Sequence, residues 1–251
     1  MRTQLMIILI VTAVMAMAIG FVIALVGWLG WLGGPAVALG LLAAVVVLYL
    51  WVLKPWHMQW GAIAEEAQRP MPGDDLIPGA GQTTRAITIH AAPEEVWPWL
   101  VQLGYGKAGW YSYDWIDNDF QPSADRILPQ HQDLQPGDKI LMMPDMGFVV
   151  NQIDEPRSIV SVLEDGSTSW CLGLYPTNDT ATRLVSRWRP KFEMTPATFF
   201  LTMLSEPGTF IMEQKMLRSI RNRVETTHAH QRQSEPIEKD HPASPRPSTP
   251  E

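Results

Sequence analysis

The sequence predicts an α+β protein in which a bent antiparallel sheet wraps around a long C-terminal helix, preceded by two apolar helices. From Thr3 to Leu53 there is no charged residue or histidine, whereas the following chain has ordinary globular composition until about Thr227. Beyond Lys54, the hydrophobic pattern indicates one strand, two helices, five short strands and a long helix. A sheet with one polar face needs a cover on its other face. A long helix in the concave side supplies that cover and leaves an internal space.

The apolar start is long enough for two membrane spans. Residues 5–26 and 36–53 would form helices of about 33 and about 27 Å, against a hydrocarbon core of about 30 Å. Between them, residues 27–35 contain four glycines, one proline and two tryptophans. This composition is typical of a turn at the lipid headgroups. We therefore predict a two-helix transmembrane hairpin over residues 1–54.

Two other interpretations of this stretch fit less well. A cleaved signal peptide has a shorter apolar region, and a buried soluble hairpin would need some charge in its loop. Arg2 precedes the apolar stretch, and Lys54, Arg69 and Arg85 follow it. Because basic residues favour the cytoplasmic side, both termini and the soluble domain are predicted to lie in the cytoplasm. The protein would then be a multi-pass protein of the inner (plasma) membrane, with the lipid bilayer as a partner.

The remaining chain divides into three segments. Residues 55–83 are rich in proline, glycine and acidic residues, which predicts a connector that lies over the domain. Residues 84–227 predict the domain itself. Residues 228–251 contain five prolines and few large apolar residues, which is typical of a disordered tail.

The elements of the domain follow from local patterns. Thr84–His90 alternates like a strand, and Pro93 then opens a helix, since proline is tolerated in a first turn. A short second helix is predicted within residues 110–118, and the final helix is predicted to begin at Glu206. Turn signals separate five further strands, which predicts an antiparallel meander of Lys139–Met143, Phe148–Ile153, Ser158–Leu163, Thr168–Leu174 and Thr182–Trp188.

Composition excludes several classes of function. The net charge of −7 argues against nucleic acid as a partner, because phosphate binding needs a basic surface. Cys171 is the single cysteine, so no intrachain disulfide can form, and its apolar strand predicts a core position. The sequence shows no metal-ligand spacing, P-loop, dinucleotide fingerprint or Ser-His-Asp elbow. We therefore predict neither a metal nor a cofactor.

Several stretches resemble a known superfamily. These stretches are Thr84–Ile89, Glu95–Gly104, Gly109–Asp114, Ser123–Ile127 and Glu206–Gly208 with the following Met212 and Glu213. They are similar to the START-like (SRPBCC) helix-grip superfamily of birch-pollen-type allergens, lipid-transfer domains and polyketide cyclases, and more narrowly to an uncharacterised bacterial branch. The resemblance covers residues 60–225. It implies a helix-grip domain with a cavity for an apolar or amphipathic molecule, whereas the fold by itself implies no particular activity.

One stretch and the loop after it supply most of the candidate ligand-binding residues. They are Trp110, Tyr111, Tyr113, Asp114, Trp115 and Asp117, followed by Asp125, Arg126 and His131. Aromatic rings would form a flat apolar wall, and a few polar groups would orient a ligand. A buried carboxylate there would have a raised pKa and act as an acid or base. The alternative is that the aromatic residues are core and that the aspartates cap helices or pair with arginines.

Two further features leave alternatives open. Arg183, Arg187 and Arg189 share one face of a predicted strand. Such a face is usually solvated, but if it lined the concave side, Arg187 would anchor a carboxylate or headgroup. The apolar run Thr198–Leu204 is too short to span a bilayer. It would form a lid over the cavity, a patch on the membrane, or a buried connection.

These observations predict a membrane-anchored protein that binds a hydrophobic or amphipathic, lipid-like small molecule in an internal cavity. An enzyme is the first alternative. It would be a cyclase-like or hydrolase-like catalyst that uses Asp114 or His131 for proton transfer on a polyketide-like substrate. The second alternative is a membrane-bound interaction module without a cavity.

Overall fold

The computed structural model describes residues 2–178, 180–191, 193 and 195–234, and it confirms the predicted α+β architecture. A curled sheet of six antiparallel strands is formed by β1 (Thr83–Ile89), β2 (Lys139–Met143), β3 (Met146–Asp154), β4 (Ser158–Leu163), β5 (Thr168–Asn178) and β6 (Ala181–Pro190). The helices are α1 (Arg2–Leu48), α2 (Lys54–Met58), α3 (Ala64–Gln68), α4 (Pro93–Val101), α5 (Asp114–Asp117) and α6 (Pro196–Ser234).

The strand order is β1-β6-β5-β4-β3-β2, so the five later strands form the predicted meander and β1 pairs with the last of them. Successive side chains of a strand point to opposite faces. On β6, Leu184 therefore belongs to the main core, while Val185 belongs to a smaller cluster on the other face.

The long helix α6 fills the concave side of the sheet. Its buried stripe consists of Met216, Leu217, Ile220 and Val224, at the spacing of one helix face. It packs against β1 and against α4, and α4 in turn packs against β5. This is the predicted helix-grip arrangement.

The observed α6 is longer than the predicted helix at both ends. The expected start at Glu206 is wrong, because the helix begins at Pro196 and passes through Pro207. Proline and glycine after an acid imitate a helix start, yet one missing backbone hydrogen bond does not end a helix that is packed along its length. Residues 228–234, predicted as tail, are the last turns of α6, and residues 235–251 lie outside the described residues.

The N-terminal stretch differs from the predicted pair of separate helices. The helical run α1 covers the first predicted span and most of the second, and Tyr49–Leu53 continues it as a π-helix. The prediction of two separate helices at 5–26 and 36–53 is therefore corrected to one kinked helical run, and a multi-pass topology is not supported. Gly30 has φ 76° and ψ 175°, outside the helical region, and marks a kink. A side-chain carbon at Gly34 would lie 2.6 Å from the Cα atom of Val26. A straight helix would separate these residues by about 12 Å, so the kink is sharp.

By length and composition, one helical stretch among the described residues, Ala16–Met58, is apolar enough to cross a membrane. It runs from within α1 through the π-helix Tyr49–Leu53 to the end of α2. Only 6% of its most apolar window is buried inside the protein. A core helix of a soluble protein would be mostly buried. The basic residues used to predict the orientation all make protein contacts. Arg69 stacks on the Tyr175 ring, Arg85 donates to the carbonyl of His57, and Lys54, near the end of this stretch, pairs with Glu206.

The connector between α2 and β1 covers the convex face of the sheet. Met71 packs against Ala86, Val160, Cys171 and Val185 in the smaller cluster. Burial raises the pKa of the Cys171 thiol to about 12, which agrees with a core position. Both faces of the sheet are therefore covered.

Candidate ligand-binding cavity

A cavity of about 240 Å³ lies between α6, α5, β2 and the end of β6. Its walls are formed by Trp110, Ser112, Ile116, Asp117, Met142, Met143, Trp188, Thr209, Met212, Glu213 and Met216. The volume exceeds the roughly 150 Å³ that hold benzene in an engineered protein and approaches the roughly 300 Å³ of small ligand pockets. Thr209 and Met143 are exposed and form the mouth.

The apolar wall is built on a rigid aromatic cluster. Trp188 lies 5.1 Å from Trp170 and 5.3 Å from Phe148, measured between ring centroids. Trp110 lies 5.7 Å from Trp170, and its indole N–H donates to the carbonyl of Leu141. These contacts fix the two rings that face the cavity. The methionines of the opposite wall are flexible and adapt to a bound shape.

Two carboxylates interrupt this apolar lining. Glu213 on α6 is 4% exposed, and its Oε2 atom forms a buried ion pair with Arg85 on β1. Its Oε1 atom and both carboxylate oxygens of Asp117 are buried without a hydrogen-bond partner among the described residues. The nearby Ser112 hydroxyl donates its hydrogen bond of good geometry to the carbonyl of Met212, at 3.0 Å. We call Asp117 and Glu213 the acidic wall.

The Asp117 carboxyl group has an altered acidity. Burial, and then the neighbouring charge of Asp114, raises its pKa from the ordinary 3.8 to about 6, although the Ser112 side chain and local backbone groups act in the opposite direction. Asp117 therefore changes charge near neutral pH, which is the range in which an acid or base is useful.

This shift predicts a pH-dependent effect of Asp117→Asn on stability. The folded state holds the proton more tightly than the unfolded state, so ionisation of Asp117 removes stability as the pH rises from about 4 to 6. Asp117→Asn has no carboxyl group to ionise at this position, so its stability does not fall for this reason as the pH rises. We expect its melting temperature to exceed that of the wild type at pH 7.5, with a difference that vanishes as the pH falls towards 4. A difference independent of pH would contradict the assignment.

The structure brings only part of the predicted site together. Trp110 and Asp117 line the cavity. Tyr111 is buried in the core, where its hydroxyl accepts from Gln102, and Asp114 accepts from Ser123 within its loop. The remaining candidates of this stretch and loop lie outside the lining. They are the half-buried Tyr113, Trp115 and His131 and the exposed Asp125 and Arg126.

Arg187 does not line the cavity. It is 1% exposed on the convex face of the sheet, beneath the connector. Its guanidinium pairs with Asp74 at 2.8 Å and donates to the carbonyls of Glu66 and Arg69. Its role is therefore to hold the connector on the sheet.

Sequence reasoning did not identify the cavity residues on β2 and α6. Met212 and Glu213 belong to a stretch that carries the family resemblance, but neither they nor Thr209 were predicted to line the site. The available signal was Glu213 itself, since an acid within a buried stripe needs a partner or a function.

The end of the apolar helix is fastened to α6 beside the cavity. Glu206 accepts hydrogen bonds from Tyr49 and Lys54, each at 2.9 Å, and the Phe210 ring lies 5.3 Å from Trp56 and 5.4 Å from His57. We call these contacts the junction. Thr209 follows Glu206 by three positions, about 4.5 Å along the helix. The mouth of the cavity is therefore about one helical turn from the junction.

No family model and no curated protein matches this chain. Solved structures that are similar to this chain include a polyketide-cyclase-like protein of Corynebacterium glutamicum. It has 13% identity over 61% of this chain and 97% of that chain, with a TM-score of 0.36. An AHSA1-like protein of Aeromonas hydrophila has 16% identity over 58% of this chain and 94% of that chain, with a TM-score of 0.32. At these identities, neither ligand nor activity carries over.

Proposed function

We propose that this protein is held at a membrane by its apolar helix and binds a hydrophobic or amphipathic, lipid-like molecule in the cavity. One observation carries the proposal. An aromatic-walled and methionine-walled cavity opens about one helical turn from the junction with the apolar helix. An apolar ligand is concentrated in a bilayer. A cavity mouth close to the end of the apolar helix therefore shortens the path of the ligand from the lipid into the cavity.

Exposed apolar side chains support membrane attachment. On α1, Trp28, Trp31 and Leu32 are each more than 80% exposed, which water would penalise. A second apolar surface continues from the junction along the start of α6, where Phe200 and Leu204 are 64% and 69% exposed. The run Thr198–Leu204 is therefore not a buried connection. Its position beside the junction favours the membrane patch over a lid.

The first test is to identify what the protein carries. We expect the full chain, purified in native-membrane discs, to retain about one equivalent of an apolar compound, detected by mass spectrometry after extraction. Thr209→Phe places a ring in the mouth and should reduce this amount at least tenfold. Ser205→Phe adds the same ring on an exposed position of α6 that does not line the cavity. It should leave the amount unchanged. Equal amounts in all three proteins would refute binding in the cavity.

One observation favours a second candidate, acid–base catalysis on the bound molecule. Asp117 lines the apolar cavity and titrates near neutral pH. Asp114 and His131, the catalytic candidates in the sequence, do not line it. The same extraction from Asp117→Asn separates the two functions. A compound of unchanged mass supports binding alone, whereas a different compound, accumulating as unconverted substrate, supports catalysis.

A further inference from the structure

We propose that the acidic wall selects the head group of the ligand, and that this head carries a hydrogen-bond donor, a hydroxyl or an amine, on an apolar body. This inference deepens the proposed function and rests on it. It concerns the chemical class of the molecule rather than the existence of the cavity.

The cavity holds buried acceptors that the protein does not fully satisfy. Glu213 Oε1 and both Asp117 carboxylate oxygens lack a hydrogen bond of good geometry among the described residues, and for Asp117 only weaker contacts with the Ser112 side chain and local backbone N–H groups remain. A buried acceptor without a donor costs about 1–3 kcal/mol. A ligand that donates to these oxygens recovers that free energy, whereas a purely apolar head does not. The indole N–H of Trp188, which is likewise buried at the cavity without a partner among the described residues, can in addition donate to a hydroxyl oxygen of the head.

The charges around the cavity favour the same kind of head group. Arg85 balances the charge of Glu213, and its guanidinium is already committed to Glu213 and to the carbonyl of His57. The charges left near the cavity are those of Asp117 and the adjacent Asp114, which acts on Asp117 through its charge. A carboxylate or phosphate head would meet like charge at short distance, which is unfavourable in a site of low dielectric constant.

The shape and lining of the cavity limit the rest of the ligand. Apart from the acidic wall and the hydroxyls of Ser112 and Thr209, the lining consists of indole, methionine and isoleucine side chains. A cavity of about 240 Å³ holds a head and the first part of a chain, and the exposed mouth at Thr209 and Met143 lets a longer tail leave. The geometry therefore fits a single-chain amphiphile with a small donor head.

The test compares four molecules that share a ten-carbon chain: decan-1-ol, decylamine, decanoate and decane. Binding of tritiated decan-1-ol is measured on the full chain in lipid nanodiscs. Specific binding is the signal of the wild type minus the signal of Thr209→Phe, and this subtraction removes the decan-1-ol that dissolves in the lipid. We expect decylamine to compete within about threefold of decan-1-ol. Decanoate and decane should each compete at least tenfold more weakly.

Asp117→Asn supplies the second readout. The amide keeps the shape of the carboxylate but loses its charge. Decylamine should therefore compete at least tenfold more weakly than it does in the wild type, and decanoate should compete nearly as well as decan-1-ol. Melting temperatures of both proteins establish that the variant is folded. Equal competition by all four molecules in the wild type would overturn the head-group inference and leave the apolar cavity standing. A wild-type signal no greater than that of Thr209→Phe would instead refute the proposed function itself.

Discussion

Replacing Arg85 by methionine is expected to lower the free energy of unfolding by about 3–5 kcal/mol, because it leaves Glu213 charged and unpaired in the core. The two side chains are 5% and 3% exposed, so water does not compensate for the lost partner. The Arg85 Nε atom also donates to the carbonyl of His57 at 2.8 Å, which ties α2 to β1. Urea unfolding of the full chain in nanodiscs, followed by tryptophan emission, measures the loss.

A double variant tests the reason for this loss. Arg85→Met with Glu213→Leu removes both charges, so no buried charge is left without a partner, and we expect most of the stability to return. The coupling free energy between the two positions should therefore be large. Additive losses from the two single variants would contradict this explanation. The double variant should also lose discrimination between decan-1-ol and decane, since part of the acidic wall is gone.

Replacing Arg187 by alanine is expected to lower the free energy of unfolding by about 3–5 kcal/mol, because the change removes a buried guanidinium together with its hydrogen bonds. Asp74 keeps its ion pair with Arg189, at 3.5 Å, but the carbonyls of Glu66 and Arg69 lose their donor. For a domain of this size, the melting temperature should fall by roughly 6–20 °C. The connector should also become sensitive to protease.

The matched control for Arg187 is Arg157→Ala. The Arg157 side chain is 76% exposed and lies 4.0 Å from Asp154. An exposed pair of this kind contributes little, so the free energy of unfolding should change by less than about 0.5 kcal/mol. A similar loss in both variants would show that Arg187 does not hold the connector. Unchanged ligand binding in Arg187→Ala at low temperature would agree with its place outside the cavity.

The strands were predictable because the signals that define them, alternating side chains and turn residues, lie within a few positions of each other in the sequence. Alternation and turn residues give Lys139–Met143 and Ser158–Leu163 with the bounds that the structure has. The start of α6 was not predictable in this way, because Glu206, Pro207 and Gly208 imitate a helix start at a point where packing carries the helix onward. Local signals located the break in the apolar stretch, since Gly30 lies within the predicted turn at residues 27–35, but they predicted a loop where the structure has a kink.

The site was less predictable than the fold, because it depends on which elements meet. Periodicity places Arg187 and Leu184 on opposite faces of one strand, but only the tertiary structure shows that the connector covers the first. Likewise, Asp117 and Trp110 come from the predicted cluster, while Glu213 comes from a helix far along the chain. Sequence spacing within one segment cannot bring such residues together.

The central claim, that a cavity beside the junction takes an amphiphile from the bilayer, is tested most directly by tryptophan quenching. Bromine quenches indole fluorescence on contact, and Trp110 and Trp188 face the cavity. Added to the full chain in nanodiscs, 10-bromodecan-1-ol should quench the wild type with a component that saturates near one equivalent, and Thr209→Phe should lack that component. Linear quenching of equal extent in both proteins would contradict the account.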